Sequence, residues 1–530
     1  MAEERVEVLV AGAGLGGLSA SMFLAQHGVD VLTVERHPGT AIHPRATGQS
    51  WRTMELFRWA GIDQRVLNAS GRASLGLRVT VASSLNGRIF HQIVEDGDEL
   101  AVAPVVGVQA GMAGQDVAEP IMLERARELG ARVRFSTELV SFEQDAEGVH
   151  AVLRQRDTGE ETAVHARYLV AADGGRSPIR ERLGIATEGV GTIGNQIGVV
   201  FDADLGDRLR PNVTELYYLQ NEHFTGALVN TDIPGRFVFA PDYHPERGET
   251  LADYPPERLT ELIRIATDLP ELAPDIVWTG AWEMAARIAT DFRAGRVFLV
   301  GDAAKVTPPT GGMGGNTAVG DGHDIAWKLA AVLRGAAGPG LLDTYQAERK
   351  PYAEKVVNTS LHYAKHRMVP DLDTSELPPP SDPFGLLLGF RYRSAAVLPA
   401  DDDPEPTEDP MKPSGRAGFR APHVPITVDG EAKSTVDLLG RGWVLFGGSG
   451  GEAWREAAAK AAAESGVPIA CHLAGVDFGD PEDHFARRYG IGPEGATLIR
   501  PDGIVAWRSV EASADPTGTL WDVLARVLDR

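Results

Sequence analysis

Two glycine-rich stretches carry residue types at spacings that could do chemistry. The later one, FLVGDAAKVTPPTGGMGGNT at residues 298–317, follows an apolar strand at 297–300 that stops at Gly301 and Asp302. An acid at a strand end can accept hydrogen bonds from sugar or ribityl hydroxyls. Pro308 and Pro309 stiffen the next turn, and Gly311, Gly312, Gly314 and Gly315 let the backbone pass close to a flat ligand before a helix begins near Asn316. The free N–H groups of such a helix start favour negative charge. A reduced flavin, anionic at its pyrimidine edge, would suit that site, and a surface loop is the plainer reading of the same residues.

The earlier stretch is GAGLGG, in which Gly12, Gly14 and Gly17 enclose Leu15 and Gly16. A strand at 6–11 precedes it, and a helix at 18–26 and a strand at 29–34 follow. The glycines supply a tight turn, close backbone approach to a pyrophosphate, and close packing of helix on strand. Glu35, with Arg36 beside it, ends the second strand where the ribose hydroxyls of an adenosine would lie. These parts together predict dinucleotide binding, without separating FAD from NAD.

The elements that must position these residues are read from periodicity. Pro44 and Arg45 precede a helix at 49–60, and residues 74–103 alternate as antiparallel strands. Gln115 opens a helix with Pro120 in its first turn, and a strand at 168–172 ends in Asp173 and Gly174, with Arg180 further on. Asp173 there could serve a cofactor or merely cap a helix. Strand-like text with interleaved aromatics runs from 189 to 282, and helices are expected at 318–333 and 341–366. Residues 377–383 and 401–410 read as linkers. The tail alternates strand (443–446), helix (453–464), strand (467–473), helix (481–489), a hairpin turning at 501–503, and a final helix at 520–528. That order resembles a thioredoxin fold whose cysteine positions are taken by GGSGG at 447–451.

The fold class expected is therefore α/β. A Rossmann-type nucleotide domain (1–73, 104–180 and 276–395) holds an inserted, mostly antiparallel substrate sheet (74–103 and 181–275). A thioredoxin-like domain without redox cysteines (396–530) follows. The chain has 530 residues, too many for one core. Its formal charge of -23 argues against nucleic-acid and anionic-membrane partners. A single cysteine, Cys471, excludes an internal disulfide and a cysteine-based metal cluster, and no metal site is expected. The acidic start and the lack of an 18-residue apolar run predict a cytoplasmic protein.

GAGLGG with Glu35, Arg45 after a proline, Asp173–Gly174 with Arg180, and Gly301–Asp302 with PPTGG stand together in chain order. This set resembles the single-component FAD-dependent aromatic hydroxylases, the class of para-hydroxybenzoate and phenol hydroxylases. The likeness covers the whole chain. Within the class, GQSWRTMELFRWAGI, GFRAPH at 418–423 and TLIRPDGIVAWR are similar to aromatic polyketide hydroxylases.

The resemblance implies FAD at the first motif, with Arg45 and Gln115 near the phosphates and ribityl chain and Asp302 on ribityl hydroxyls. Pro309, Gly314, Gly315 and Asn316 would line the ring, and Asp173, Gly174 and Arg180 match a motif tied to both FAD and NADPH. It further implies NADPH or NADH as a transient reductant, oxygen as co-substrate, and hydroxylation of a phenolic ring through a flavin C4a-hydroperoxide. The substrate would be a small aromatic, first a polyketide, alternatively a phenol or hydroxypyridine. A flavin dehydrogenase or oxidase, a non-catalytic binding flavoprotein, and assembly as a homodimer stay open. No catalytic base is identified: Tyr217, Tyr218 and His223 on a substrate strand, and His43, are the residues considered.

Overall fold

The computed structural model describes residues 3–43, 47–69, 76–94, 105–209, 213–399, 401–482 and 484–530. Its first sheet is built on five parallel strands. Val297–Leu299, Glu161–Ala171, Glu4–Ala11, Val31–Val34 and Arg132–Arg134 lie side by side in that order. Val8 to Ala11 and Val31 to Val34 are buried without alternation, as strands covered on both faces must be. The helix Leu15–Gln26 is buried from Gly16 to Ala25, so it shows no polar stripe. Its outer side meets the helix Met313–Leu333, where a Cβ on Gly322 would lie 2.5 Å from the Gly16 carbonyl oxygen. Ser19 Oγ donates to Val319 O at 2.7 Å across the same contact. The two glycine-rich stretches, far apart in sequence, thus begin adjacent helices.

The second sheet runs Lys305–Val306, Asp275–Ala289, Thr187–Asp202, Arg236–Tyr243, Thr225–Asn230, Thr214–Gln220, Leu77–Ala82, Ile89–Val94. It is antiparallel except where Thr214–Gln220 pairs with Leu77–Ala82. One face is closed by the helix Pro256–Thr267, whose Leu259, Leu262 and Ile263 pack on Leu228, Phe237 and Phe239. The edge strand Lys305–Val306 pairs with Arg287 and Ile288 and runs directly into Pro308 and Pro309, so the second sheet is chained to the glycine loop.

In the tail, strands order as Ile469–Leu473, Trp443–Gly447, Ala496–Ile499, Val505–Ser509, flanked by the helices Glu452–Ser465 and Pro516–Val527. Several boundaries differ from those read in the sequence. The glycine-loop helix starts at Met313, because Gly312 takes a left-handed N-cap (φ 64°) that commits Gly314 and Gly315 to the first turn. Pro120 lies beyond the first turn of Gln115–Glu128, where it forfeits the bond to the Asp116 carbonyl. The expected helix at 481–489 contracts to Phe485–Tyr489, and the last helix begins earlier, at Pro516, capped by Asp515 Oδ1 accepting from Gly518 N at 2.9 Å.

Buried ion pairs bind the tail to the rest. Glu348, on the helix Asp343–Arg367, accepts from Lys328 Nζ at 2.7 Å and from Arg500 Nη2 at 2.8 Å. Arg500 also grips Asp502, and Lys328 donates to Asp324 at 2.7 Å. Asp324, Glu348 and Asp502 converge as metal ligands might, but Lys328 and Arg500 are already paired with them. Burial opposes the charge on Glu348, yet the two cations hold its carboxyl down at about 2. Nearby, Arg420 Nε meets both oxygens of buried Glu55 at 2.9 Å. His423 Nδ1 lies 2.6 Å from Ser434 Oγ. The segments GFRAPH and TLIRPDG are therefore docking residues.

Two outcomes follow. Arg500→Met strands Glu348 and Asp502 without their shared cation, so it should destabilise the protein by about 3–5 kcal/mol in denaturant unfolding. Burial first, then Arg420 and Arg488, push the His423 imidazole down to about 4 from its usual 6.5. The unfolded chain therefore binds the extra proton in that window, and stability is full above pH 6.5 and falls as pH drops towards 4. His423→Asn should flatten this slope by one proton, about 1.4 kcal/mol per pH unit.

Candidate functional site

Three neighbouring parallel strands end together, and the fingerprint residues cluster at their carboxyl ends, the usual ligand edge of such a sheet. Glu4–Ala11 leads to Gly12, Glu161–Ala171 to Asp173 and Gly174, and Val297–Leu299 to Gly301 and Asp302. Gly12 is left-handed (φ 106°), and a Cβ there would sit 2.2 Å from the Ala172 oxygen. A Cβ on Gly17 would meet the Gly12 oxygen at 1.9 Å, so neither position admits a side chain. Gly14 is the N-cap of its helix and offers no side-chain cap, which leaves the N–H groups of Leu15, Gly16 and Gly17 unpaired at a positive helix end.

Glu35 braces this loop: Oε2 accepts from Ala13 N at 2.8 Å, and Oε1 from His37 N at 2.9 Å. Arg36 turns its side chain to the surface, while its carbonyl accepts from Arg156. Arg45 lies outside the described residues. Gln115 donates to Glu119 Oε1 at 2.6 Å, and Glu119 Oε2 accepts from Ala41 N at 2.7 Å. Buried Glu119, which the sequence reading missed, thus holds the crossing segment near Gly14; an acid on the helix face that begins at Gln115 was its only signal.

The second helix start faces the same cleft, where Leu15, Gln115, Gly312, Gly315 and Asn316 meet. Gly312 provides no side-chain cap, so the N–H groups of Met313, Gly314 and Gly315 are also open. Asn316 is occupied by protein: Oδ1 accepts from Ser50 N at 2.8 Å and Thr53 Oγ1 at 2.7 Å, and Nδ2 donates to Gly312 O at 2.8 Å. It positions the loop against the helix Trp51–Ala60. Pro309 is exposed at the loop rim, and its carbonyl accepts from Gly312 N at 3.1 Å.

Asp302 has an exposed side chain in a depression ringed by protein. That surrounding raises its carboxyl above the usual value, Lys305 opposes the rise, and Asp321 adds to it. Behind it lies a triad that the sequence did not reveal. Asp321 takes Lys305 Nζ and the Gly301 N–H (3.1 Å) on one oxygen and Arg349 Nε (2.7 Å) on the other. Arg349 also donates to Thr317 O at 3.1 Å. Asp173 caps a helix, accepting from Ser177 Oγ at 2.6 Å and Ile179 N at 3.1 Å. Gly174 is left-handed, and Arg180 donates to Ala303 O at 3.0 Å and Gly175 O at 3.1 Å, clamping the turn that presents Asp302.

The face of the second sheet opposite the helix Pro256–Thr267 is tied to this edge. Trp278 on it stacks against His43 with ring centroids 4.2 Å apart, and the hairpin residue Asp232 accepts from Gly114 N at 2.9 Å. Tyr218 lies on this face with Val81 and Met284, whereas adjacent Tyr217 points into the core under Pro256–Thr267. The Arg367 guanidinium stands 5.6 Å from the Tyr218 ring centroid and 4.3 Å from that of Tyr363. Burial pushes the Tyr218 phenol up, and Arg367 partly offsets it. His223 is exposed beside Glu222.

Residues 5–360 match the FAD binding domain family, and residues 414–530 match the aromatic-ring hydroxylase C-terminal family. Aklavinone 12-hydroxylase RdmE of Streptomyces purpurascens is 50% identical over 540 residues, covering 100% of both chains. The crystal structure of aklavinone-11 hydroxylase in a ternary complex with FAD and aklavinone matches with a TM-score of 0.95, 49% identity and 100% of both chains. The flavin-dependent monooxygenase PieE, in complex with FAD and substrate, matches with a TM-score of 0.89, 31% identity and 100% of both chains.

The site fits FAD on its own geometry: a backbone cradle that excludes any Cβ at Gly12 and Gly17, two uncapped helix starts, and a carboxylate at a strand end. Gly17→Ala, whose Cβ meets the Gly12 oxygen, should yield folded protein that has lost its flavin absorbance, read against circular dichroism of the same sample.

Proposed function

The chain belongs to the FAD-dependent aromatic-ring hydroxylases, and on that premise we propose that it hydroxylates a phenolic ring of a polycyclic aromatic polyketide, consuming NADPH or NADH. The observation that carries the reading is the apolar face of the second sheet that holds Tyr218, Val81 and Met284, tied beside the cofactor edge by the His43–Trp278 and Gly114–Asp232 contacts, with Arg367 over Tyr218. A flat apolar ring can lie there, and a phenol can meet a fixed cation.

Residues 12–17 and Gln115 hold the pyrophosphate end of FAD, Asp302 hydroxyls of its ribityl chain, and Gly314 and Gly315 its ring. Bound FAD would supply two-electron transfer from the nicotinamide to oxygen, with one oxygen atom going to the substrate and the other to water. The protein's part is binding, orientation, exclusion of water and control of one proton. The uncapped N–H groups at 313–315 stabilise negative charge on the ring without reorganisation. Arg367 favours the ionised form of a phenol placed beside Tyr218, which raises electron density ortho and para to the oxygen.

The parallel sheet with residues 12–17 is read as Rossmann-type, within 1–73, 104–180 and 276–395, and the second sheet as the substrate domain of 74–103 and 181–275. The tail from 396 is read as thioredoxin-like. Gly447 to Gly451 follow its strand Trp443–Gly447 where a redox pair would stand, and Cys471 lies on another strand with its thiol pushed up to about 11 by burial. The tail serves as a docking partner of the body through Arg420 and Arg500.

The test is NADPH consumption in air by the FAD-loaded protein, with aklavinone and simpler phenols and with product masses read in parallel. A gain of one oxygen supports the reading, and loss of two hydrogens overturns it in favour of a dehydrogenase. Arg367→Met should slow turnover by about 10²-fold near neutral pH and move the rising limb of the rate–pH profile to higher pH, because the phenol then ionises without its cation.

A further inference from the structure

The strand register aligns small residues on the face that carries Tyr218. Tyr218 stands opposite Ala227, Ala227 opposite Ala240, and Gly198 opposite Gly280, with Ala240 and Gly198 level on adjoining strands. Together they form a trough across five strands. Val229, Val238 and Trp278 rise on one side, and Asp242, Gln196 and Trp282 on the other. Ala227, Val229 and Val238 are half-buried, whereas Leu228, Phe237 and Phe239 between them are buried on the opposite face. At one end of the trough the chain's own Trp278 indole lies over the small residues, since a Cβ on Gly280 would lie 2.4 Å from it.

Gln196 is 2% exposed, and its side-chain oxygen has no hydrogen-bond partner. Its neighbour Asp242 is engaged elsewhere, by Thr225 N at 3.1 Å and His244 Nε2 at 3.1 Å. Leaving a buried amide unpaired is costly, so the folded chain retains a polar group that nothing in its own structure uses. We propose that Gln196 reads the substrate: its amide N–H donates to a ring carbonyl, and its oxygen accepts from the hydroxyl on the neighbouring ring position. A planar ring system with a carbonyl flanked by hydroxyls fits the trough and satisfies the amide, and a bare hydrocarbon leaves it orphaned. This rests on the hydroxylase reading, and it assigns Gln196 to specificity and positioning rather than to chemistry.

The test compares FAD-loaded protein with Gln196→Met, which keeps the length of the side chain and removes its amide. 1,8-Dihydroxyanthraquinone, and anthracene as the frame without either group, are titrated by the perturbation of flavin absorbance. The variant should bind the hydroxyquinone about tenfold more weakly, a change of about 1.4 kcal/mol, and bind anthracene within about twofold of the parent. Equal weakening for both rings would make Gln196 a packing residue, and no weakening for either would show that the amide is not contacted; each overturns the assignment. Gln196→Leu gives the same comparison if the methionine variant does not fold. Parent protein that binds both rings yet never inserts oxygen into a phenol overturns the hydroxylase reading alone.

Discussion

The structure depends on one buried carboxylate. Asp321 sits fully enclosed on the helix Met313–Leu333, and Lys305 and Arg349 are its compensating charges. Without Asp321 two enclosed cations would lose their shared anion, a loss of several kcal/mol, so the set must come together for the chain to close. Meeting that requirement fixes four things together. Lys305 pins the edge strand of the second sheet, and Arg349 pins the helix Asp343–Arg367. The Gly301 N–H pins the strand end that presents Asp302, and the helix is set in register with its glycine-rich start over the cleft. The site is assembled by electrostatics behind it rather than by contacts within it.

The same helix repeats the device further along. Asp324 and Lys328 lie about one and two turns on, and they join Glu348, Arg500 and Asp502 in a second enclosed network. Burial pushes the Asp324 carboxyl up to about 6, whereas Glu348, with two cations against it, is held at about 2. One helix thus carries ligand-facing backbone at its start and charge-paired side chains through its middle.

What was legible in the sequence was what local geometry dictates. Gly12 and Gly17 could be read because no other residue fits their backbone, and the Asp173 cap because Ser177 and Ile179 follow it by four and six residues. The Lys305–Asp321–Arg349 triad could not, since its members belong to a strand and two helices that only folding brings together, and a lysine at a strand end looks solvated. Tyr217 and Tyr218 were indistinguishable because both faces of their strand meet apolar surroundings, and only the register shows which tyrosine meets the helix Pro256–Thr267 and which the opposite face. The helix start at Met313 was misplaced because glycine is a poor helix former, a preference outweighed here by the left-handed cap at Gly312.

The seam between the tail and the body has a consequence for how such a chain can change over generations. Glu55 and Glu348 belong to the body, yet one cation of each pairing set, Arg420 and Arg500, belongs to the tail. Trp59 reaches across the same seam, donating to Val436 O at 2.9 Å and filling space that only Gly440 and Gly503 leave free. A lineage that exchanged its tail for another would inherit under-compensated acids and a blocked indole. Body and tail are therefore expected to be inherited as a unit, with substitutions on one side of the seam tolerated only when the other side has already moved.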